Sequence, residues 1–256
     1  MVDDIRDTGE NAGDTAGKAV SVAASWVVLD IEGTTSSTSS VHVGLYDYAR
    51  PRLGPWIEGH PGDADVRAAV AETREQGGLA EDASVADLVA VLHGWMDGDV
   101  KATPLKTLQG QIWAAGFAAG ELTAHFFPDV PPALRSWHDR GLRLAVFSSG
   151  SVSSQRPWFR HSDAGDLSVL IRHHFDTVNA GPKREAASYR RIAETLGGPA
   201  DRLLFLSDVP AELTAAAAAG WSAVGVRRPG EPSENAGFTP HPVVSSFDDL
   251  ILKEIA

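Results

Sequence analysis

The feature that most constrains this chain is a short apolar run that ends in two acidic residues and a glycine turn. The run lies in WVVLDIEGTT, residues 26–35, where Trp26–Leu29 precede Asp30 and Glu32. A short β-branched run stopped by glycine is typical of a strand buried in a parallel sheet. Ligands of such sheets bind beyond the carboxyl ends of the strands. The sequence therefore places both carboxylates at a binding site, with Asp30 as a candidate nucleophile.

A second predicted strand leads into small hydroxyl residues. The apolar segment 142–147 is followed by Ser148 and Ser149, and a helix is expected to begin near Ser151. Backbone N–H groups at a helix N-terminus, together with a serine hydroxyl, can hold phosphate oxygens. The two serines also suit simple capping of that helix, and the local sequence by itself favours this ordinary role.

Three charged residues complete an ordered set. Lys183 precedes a predicted helix, and a third apolar run, residues 203–206, leads to Asp208, with Glu212 four residues later. Residues four apart on a helix share a face, so both acids can point at one site with Asp30 and Lys183. Alone, Lys183 would be typical of a solvated surface, and Glu212 could equally complement the helix dipole.

The predicted site carries an excess of negative charge. Asp30, Glu32, Asp208 and Glu212 are expected to converge, and Lys183 offsets only one of them. Two unit charges ~4 Å apart cost about 4 kcal/mol at an effective dielectric near 20, so a divalent cation is expected. All the candidate ligands are oxygens, and the chain has no cysteine, which favours Mg²⁺.

These motifs, in this order, resemble those of the haloacid dehalogenase-like hydrolase superfamily. The glutamate in DIEGTT is unusual there, and it resembles the enolase-phosphatase (acireductone synthase) family of methionine salvage. The similarity extends over about residues 26–247. Its further strings are LKTLQGQIW (105–113), FSSGSV (147–152), HSDAGDL (161–167), HFDT (174–177), KREAASYRRIA (183–193) and LFLSDV (204–209).

The resemblance implies a role for each candidate residue. Asp30 would be the nucleophile and a metal ligand, Glu32 would join the metal site through its main-chain carbonyl, and Asp208 would be the third protein ligand. Glu212 would orient water at the metal. The phosphorylated substrate would be held by Ser148, Ser149 and Lys183.

The resemblance also implies a reaction. The family enolises 5-methylthio-2,3-dioxopentyl phosphate and then dephosphorylates it to acireductone, using a covalent aspartyl phosphate. The base that removes the enolisation proton is not assigned by any motif. Glu32 is a candidate, because its carboxylate is free if only its carbonyl binds the metal.

One segment departs from the family pattern. Residues 36–43 read SSTSSVHV where the family usually has an apolar stretch, so that Ser40 replaces a phenylalanine, His42 a lysine and Val43 an aspartate. This segment is expected to begin the part of the protein that covers the substrate. The departure therefore bears on substrate selectivity rather than on phosphoryl chemistry.

The chain is expected to form one α/β domain with an insertion. Alternating helix and strand signals predict a doubly wound parallel sheet of the Rossmann type, over residues 25–39 and 128–256. Residues 40–127 read as helices and are interpreted as an inserted cap, with Ser84 and Asp87 forming a capping-box pattern. Residues 1–24 are interpreted as a disordered tail. The string GEPSENAG, residues 230–237, is interpreted as an exposed loop.

Composition restricts the partners. A net charge of −12 argues against nucleic acid or an anionic membrane as the main partner. No apolar run approaches ~18 residues and the N-terminus lacks a signal-peptide pattern, so neither a transmembrane helix nor secretion is expected. The absence of cysteine fits a cytoplasmic protein. The family resemblance favours a monomer.

Three alternatives remain open on the sequence. The divergent segment 36–43 would suit a phosphatase of the same superfamily that acts on another small phosphate ester. A catalytically silent binding module would predict damage to the acidic set, and none is seen. A dehalogenase that uses Asp30 on a carbon–halogen bond would not need Asp208 and Glu212, and it would turn over without metal.

Overall fold

A six-stranded parallel sheet forms the centre of the molecule. The computed structural model describes residues 19–253. The strands of the described chain are β1 (Val20–Ala23), β2 (Trp26–Leu29), β3 (Arg143–Phe147), β4 (Ile171–Phe175), β5 (Leu203–Ser207), β6 (Ser222–Val226), β7 (Val243–Val244) and β8 (Leu250–Lys253). The order in the main sheet is β4-β3-β2-β5-β6-β7, so the chain winds outward from β2 in both directions. The predicted doubly wound parallel sheet is confirmed.

Helices flank the sheet and fill the long connection after β2. In the described chain they are α1 (Thr38–Ala49), α2 (Leu53–Gly59), α3 (Ala64–Gly77), α4 (Val85–Asp97), α5 (Thr103–Ala118), α6 (Val130–Asp139), α7 (Val152–Arg160), α8 (Ala186–Leu196) and α9 (Pro210–Ala218). Among residues 19–253 no helix is long and apolar enough to cross a membrane.

The continuous apolar character of β2 follows from burial on both faces of the sheet. Val27 and Leu29 belong to one buried cluster, which includes Trp137 of α6. Trp26 and Val28 point the opposite way, into the cluster on the other face. Burying such side chains stabilises the fold by roughly 1.5–3 kcal/mol each. Neighbouring strands pair in parallel with β2, Leu29 lying beside Val146 and Leu206, so their carboxyl ends meet at one edge.

The helices α1 to α5 have a separate apolar cluster. It contains Leu53 of α2, Leu92 of α4 and Leu108 of α5, each fully buried. The capping box predicted at the start of α4 is confirmed, since Ser84 and Asp87 exchange hydrogen bonds between side chain and backbone. The chain leaves the sheet after β2 and returns at α6, so these helices form one continuous insertion.

The interpretation of residues 1–24 as a disordered tail is wrong for Val20–Ala23. Part of the segment interpreted as disordered, Val20–Ala23, forms strand β1 and pairs in parallel with β8. The pairing depends on β8, about 230 residues away in the sequence, and Val20 and Val22 pack against the main apolar cluster. Local composition could not reveal that partner. Residues 1–18 of the predicted tail lie outside the described residues.

Candidate active site

Asp30 follows β2 at the centre of the sheet edge and is almost completely buried, with 4% of its surface exposed. Its Oδ1 atom accepts a hydrogen bond from the Ile31 N–H at 2.8 Å and lies 2.7 Å from the Nζ atom of Lys183. Its Oδ2 atom accepts a longer bond, 3.3 Å, from the Ser207 hydroxyl. Burial raises the pKa of Asp30, whereas the charge of Lys183 opposes that shift. The charge of Lys183 therefore favours the ionised form of the buried Asp30 carboxyl, against the effect of burial.

Lys183 lies between two acids. Its Nζ atom is 2.7 Å from both Asp30 Oδ1 and Glu212 Oε2, and only 7% of the residue is exposed. The buried Tyr189 hydroxyl donates to the Lys183 carbonyl at 2.8 Å and fixes the loop before α8. The predicted contact between Lys183 and Asp30 is present. The surface alternative for Lys183 is wrong.

Asp208 is held in a narrow space after β5. Its backbone N–H donates to Thr34 Oγ1 at 2.9 Å, and the Thr34 hydroxyl lies 3.3 Å from Asp208 Oδ1. The hydroxyl of Ser233 donates a short hydrogen bond to Asp208 Oδ2. Gly33 has φ +69°, and a Cβ atom there would lie 2.3 Å from Asp208 Oδ2. The glycine of the DIEGTT turn is therefore required by both the backbone angle and the approach of Asp208.

The side chain of Glu32 does not join the other acids, which corrects the prediction that four carboxylates converge. Its Oε2 atom lies 3.2 Å from Nε2 of His42 in α1, and the side chain is 40% exposed. The turn explains this direction, because the N–H groups of residues 34–36 all donate to the Ile31 carbonyl. The chain thus folds back on itself and directs Glu32 toward the inserted helices.

The two predicted phosphate-binding serines occupy different environments after β3. Ser148 is buried and its hydroxyl accepts from the Gly150 N–H at 3.3 Å, whereas Ser149 is exposed. Neither caps α7, whose N-cap is Ser151. The first N–H of α7, from Val152, donates to Asp176 Oδ2 at 2.9 Å. The Val152 N–H, one of the helix N-terminal donors predicted to hold phosphate, is therefore already paired with a carboxylate.

The site keeps an excess of buried negative charge. Asp30, Asp208 and Glu212 are buried with one ammonium, that of Lys183, among them. Burial, and then the charge of Asp30, raises the pKa of Asp208 to about 6 and that of Glu212 to about 7. Both burial and the neighbouring Asp30 therefore make a negative charge at these two carboxyls less favourable. A cation with oxygen ligands fits such a site.

The side chains alone do not form a complete metal cage. Within residues 19–253 no three His, Asp or Glu side chains are arranged so that they could hold one ion together. Glu212 is occupied by Lys183 and by the Ser207 hydroxyl at 3.0 Å, and Glu32 faces His42. The predicted four-carboxylate ligand set is therefore too large. Asp30 and Asp208 fit Mg²⁺, which is usually bound by one or two carboxylates with water and substrate phosphate.

Sequence reasoning missed several contacts that hold the site together. Ser207 donates toward both Asp30 and Glu212, Thr34 anchors Asp208, and Ser233 binds Asp208 from a distant loop. Ser207 and Thr34 stand inside the strings LFLSDV and DIEGTT, so their position beside the acids was available as a signal. Nothing in the local sequence around Ser233 indicates its partner.

The chain is similar to known proteins over most of its length. Residues 25–220 match the family model of haloacid dehalogenase-like hydrolases. Enolase-phosphatase E1 of Saccharopolyspora erythraea is 60% identical over 239 residues, covering 93% of this chain and all of the relative. The chain belongs to the enolase-phosphatase family. The enolase-phosphatase E1 of Frankia alni is 57% identical, covering 89% of this chain and 95% of its own length. The chain is thus a phosphatase of the hydrolase class, and the resemblance inferred from its motifs is confirmed.

Solved structures share the fold of this chain. The UTR4 protein of Saccharomyces cerevisiae has a TM-score of 0.74 and 30% identity, covering 88% of this chain and 99% of its own. CbbY of Rhodobacter sphaeroides, at 18% identity and a TM-score of 0.54, covers 88% of this enolase-phosphatase chain and 95% of its own. The second likeness shows only that the fold is shared.

Proposed function

We propose that this enzyme converts 5-methylthio-2,3-dioxopentyl phosphate to acireductone and phosphate, in methionine salvage, with Asp30 as nucleophile and Mg²⁺ as cofactor. The observation that carries the proposal is the buried Asp30, held 2.7 Å from Lys183 where the central strands end. The 60% identity to an enolase-phosphatase supports the substrate. The absence of cysteine supports a cytoplasmic location, and the family resemblance supports a monomer.

Phosphoryl transfer would proceed in two displacements. An Asp30 carboxylate oxygen forms a bond to phosphorus as the bond from phosphorus to the enediol oxygen breaks, and the enediol leaves. Water then attacks the phosphorus of the aspartyl phosphate, which releases phosphate and restores Asp30. Lys183 would balance the charge of the transferring oxygens, since it is buried beside Asp30. Ser148 and Ser149 would hold the phosphate from the next strand.

The metal site would use few protein groups. Asp30 and Asp208, with the Glu32 carbonyl, would hold Mg²⁺, which supplies Lewis-acid stabilisation of the phosphoryl oxygens when bound. Glu212 would support these groups without binding the metal itself, since its carboxylate is bound to Lys183 and Ser207. This arrangement uses fewer carboxylates than the four that the sequence suggested.

Enolisation would precede phosphoryl transfer and use Glu32. Lys183 forms its ion pairs with Asp30 and Glu212. The Glu32 carboxylate instead faces His42 on the first inserted helix. Glu32 can therefore take a substrate proton without disturbing the nucleophile. The inserted helices, residues 40–127, would act as a cap that excludes water from the enediol.

Replacing Asp30 with Asn tests the proposal. The variant keeps the side-chain shape but lacks the nucleophilic oxygen, so phosphate release should fall by at least about 10³-fold while enolisation of the substrate, followed by ultraviolet absorbance, continues. Wild-type phosphate release in the variant would refute Asp30 as nucleophile. A panel of other small phosphate esters, assayed with the wild-type enzyme, separates the proposed substrate from a different ester.

A further inference from the structure

The loop interpreted from the sequence as merely exposed, residues 230–237, contacts the active site. Glu231 is buried and Ser233 is half-buried, whereas Pro232 between them faces solvent. The loop follows β6, which lies two positions from β2 in the sheet. The loop connects the candidate active site, through Ser233, to the inserted helices, through Glu231.

Ser233 contacts the candidate metal ligand Asp208. Its hydroxyl donates to Oδ2, while the Thr34 hydroxyl lies on the opposite oxygen at 3.3 Å. Hydrogen bonds to both oxygens restrict rotation of the Asp208 carboxylate. The lone pairs that remain available to a metal therefore keep one direction. Hydrogen bonds to a metal-binding carboxylate orient it and commonly contribute ten- to a hundred-fold to metal affinity.

Glu231 contacts the start of the inserted helices. Its Oε2 atom accepts a hydrogen bond from the N–H of Thr38, the first residue of α1, at 2.9 Å. A carboxylate at a helix N-terminus also gains from the helix dipole. Because Pro232 is the one residue between Glu231 and Ser233, and proline fixes its own φ angle, a short and stiff connection joins the contact at α1 to the contact at Asp208.

We propose that Ser233 is a positioning residue for Asp208 in the metal site, and that Glu231 couples this positioning to the first helix of the insertion. The inference rests on the Mg²⁺ site of the proposed function. It adds that the affinity for Mg²⁺ depends on a loop outside the sequence strings that contain the candidate residues. It adds also that this affinity depends on the position of the first turn of α1.

Metal binding can be measured without turnover. The full-length, metal-free protein is heated at a series of Mg²⁺ concentrations, and the rise in Tm gives an apparent Kd, because a ligand that binds only the folded state stabilises it. Ser233→Ala should raise this Kd by about ten-fold or more. Ser233→Thr keeps the hydroxyl and should stay within about three-fold of the wild type.

The coupling through Glu231 needs its own variants. Glu231→Ala should raise the apparent Kd for Mg²⁺ in the same direction as Ser233→Ala, and the double variant should be no worse than Ser233→Ala alone. Glu234→Ala is the matched control, since the Glu234 carboxylate accepts from Gly230 within the loop itself, at 3.0 Å, and should leave the Kd unchanged. Fully additive effects in the double variant would overturn the coupling.

The outcomes separate this inference from the function it rests on. Unchanged Mg²⁺ affinity in a folded Ser233→Ala variant would overturn the positioning role alone. A wild-type protein whose Tm does not respond to Mg²⁺ would overturn both the metal site and this inference. A Ser233 effect on Mg²⁺ binding, in an enzyme that leaves the diketone phosphate untouched, would support the inference and refute the proposed substrate.

Discussion

Replacing Gly33 with alanine should inactivate the enzyme more than it destabilises it. The new Cβ would lie 2.3 Å from Asp208 Oδ2, so the carboxylate would have to move by about 0.7 Å to reach even the shortest tolerated distance of 3.0 Å. A misplacement near 1 Å at a reacting centre costs about 100-fold in rate. The left-handed angle of φ +69° adds roughly 1–2 kcal/mol of strain. We expect kcat/KM to fall about 100-fold, measured by phosphate release.

The control for this experiment is Gly197→Ala. Gly197 has nearly the same backbone angle, φ +67°, but nothing lies within 4 Å of the position its Cβ would take. Both variants should lose roughly 1–2 kcal/mol in urea denaturation, whereas only Gly33→Ala should lose activity. Full activity in a folded Gly33→Ala variant would refute the argument that Gly33 makes room for Asp208.

Two further predictions concern charge. Burial raises the pKa of Glu212 to about 7 from its usual 4.5, so between these pH values the folded protein binds a proton that the unfolded chain has lost. In EDTA, the free energy of unfolding should therefore fall as the pH rises from about 5 to 7. An equal fall in the wild type and in Glu212→Gln would contradict this. Arg228 donates to Asp129 at 2.8 Å and to the Thr34 carbonyl at 3.1 Å. Arg228→Met should therefore lower the free energy of unfolding by about 3 kcal/mol in urea denaturation, and a loss below about 1 kcal/mol would show that the buried pair is not structurally important.

Much of the fold could be predicted because its signals are local. The apolar runs of β2, β3 and β5 are buried on both faces, so they show no alternation and are easily recognised. Parallel pairing then brings their carboxyl ends together, which places Asp30 and Asp208 at one edge without further information. Strand β1 was missed, because its partner lies at the opposite end of the sequence.

The sequence placed Asp30, Lys183, Asp208 and Glu212 near one another, but it did not indicate every side-chain direction or the supporting hydroxyl groups. Lys183 contacts both Asp30 and Glu212, as their positions beside the sheet edge allow. The side-chain direction of Glu32 depends on how the turn bonds to Ile31, and the partner of Ser233 depends on a loop that returns from β6. Tertiary contacts determine these side-chain directions and partners, and the spacing of motifs in the sequence does not predict them.

Segment 36–43, which the sequence analysis sets apart from the family pattern, leads into α1, the first of the inserted helices. In that segment His42 faces Glu32, the proposed enolisation base. Proton transfer by Glu32 should therefore respond to substitution of His42. The Asp30 carboxylate contacts Ile31, Lys183 and Ser207, which lie outside segment 36–43.

The most direct test of the account is anaerobic turnover of 5-methylthio-2,3-dioxopentyl phosphate by the wild-type protein with Mg²⁺. Phosphate release and the ultraviolet absorbance of the enediol product are followed together, with EDTA as the control. We expect both signals to appear and chelation to abolish phosphate release. Hydrolysis of a generic phosphate ester with no reaction of the diketone phosphate would contradict the proposed substrate, and undiminished phosphate release in EDTA would contradict the metal.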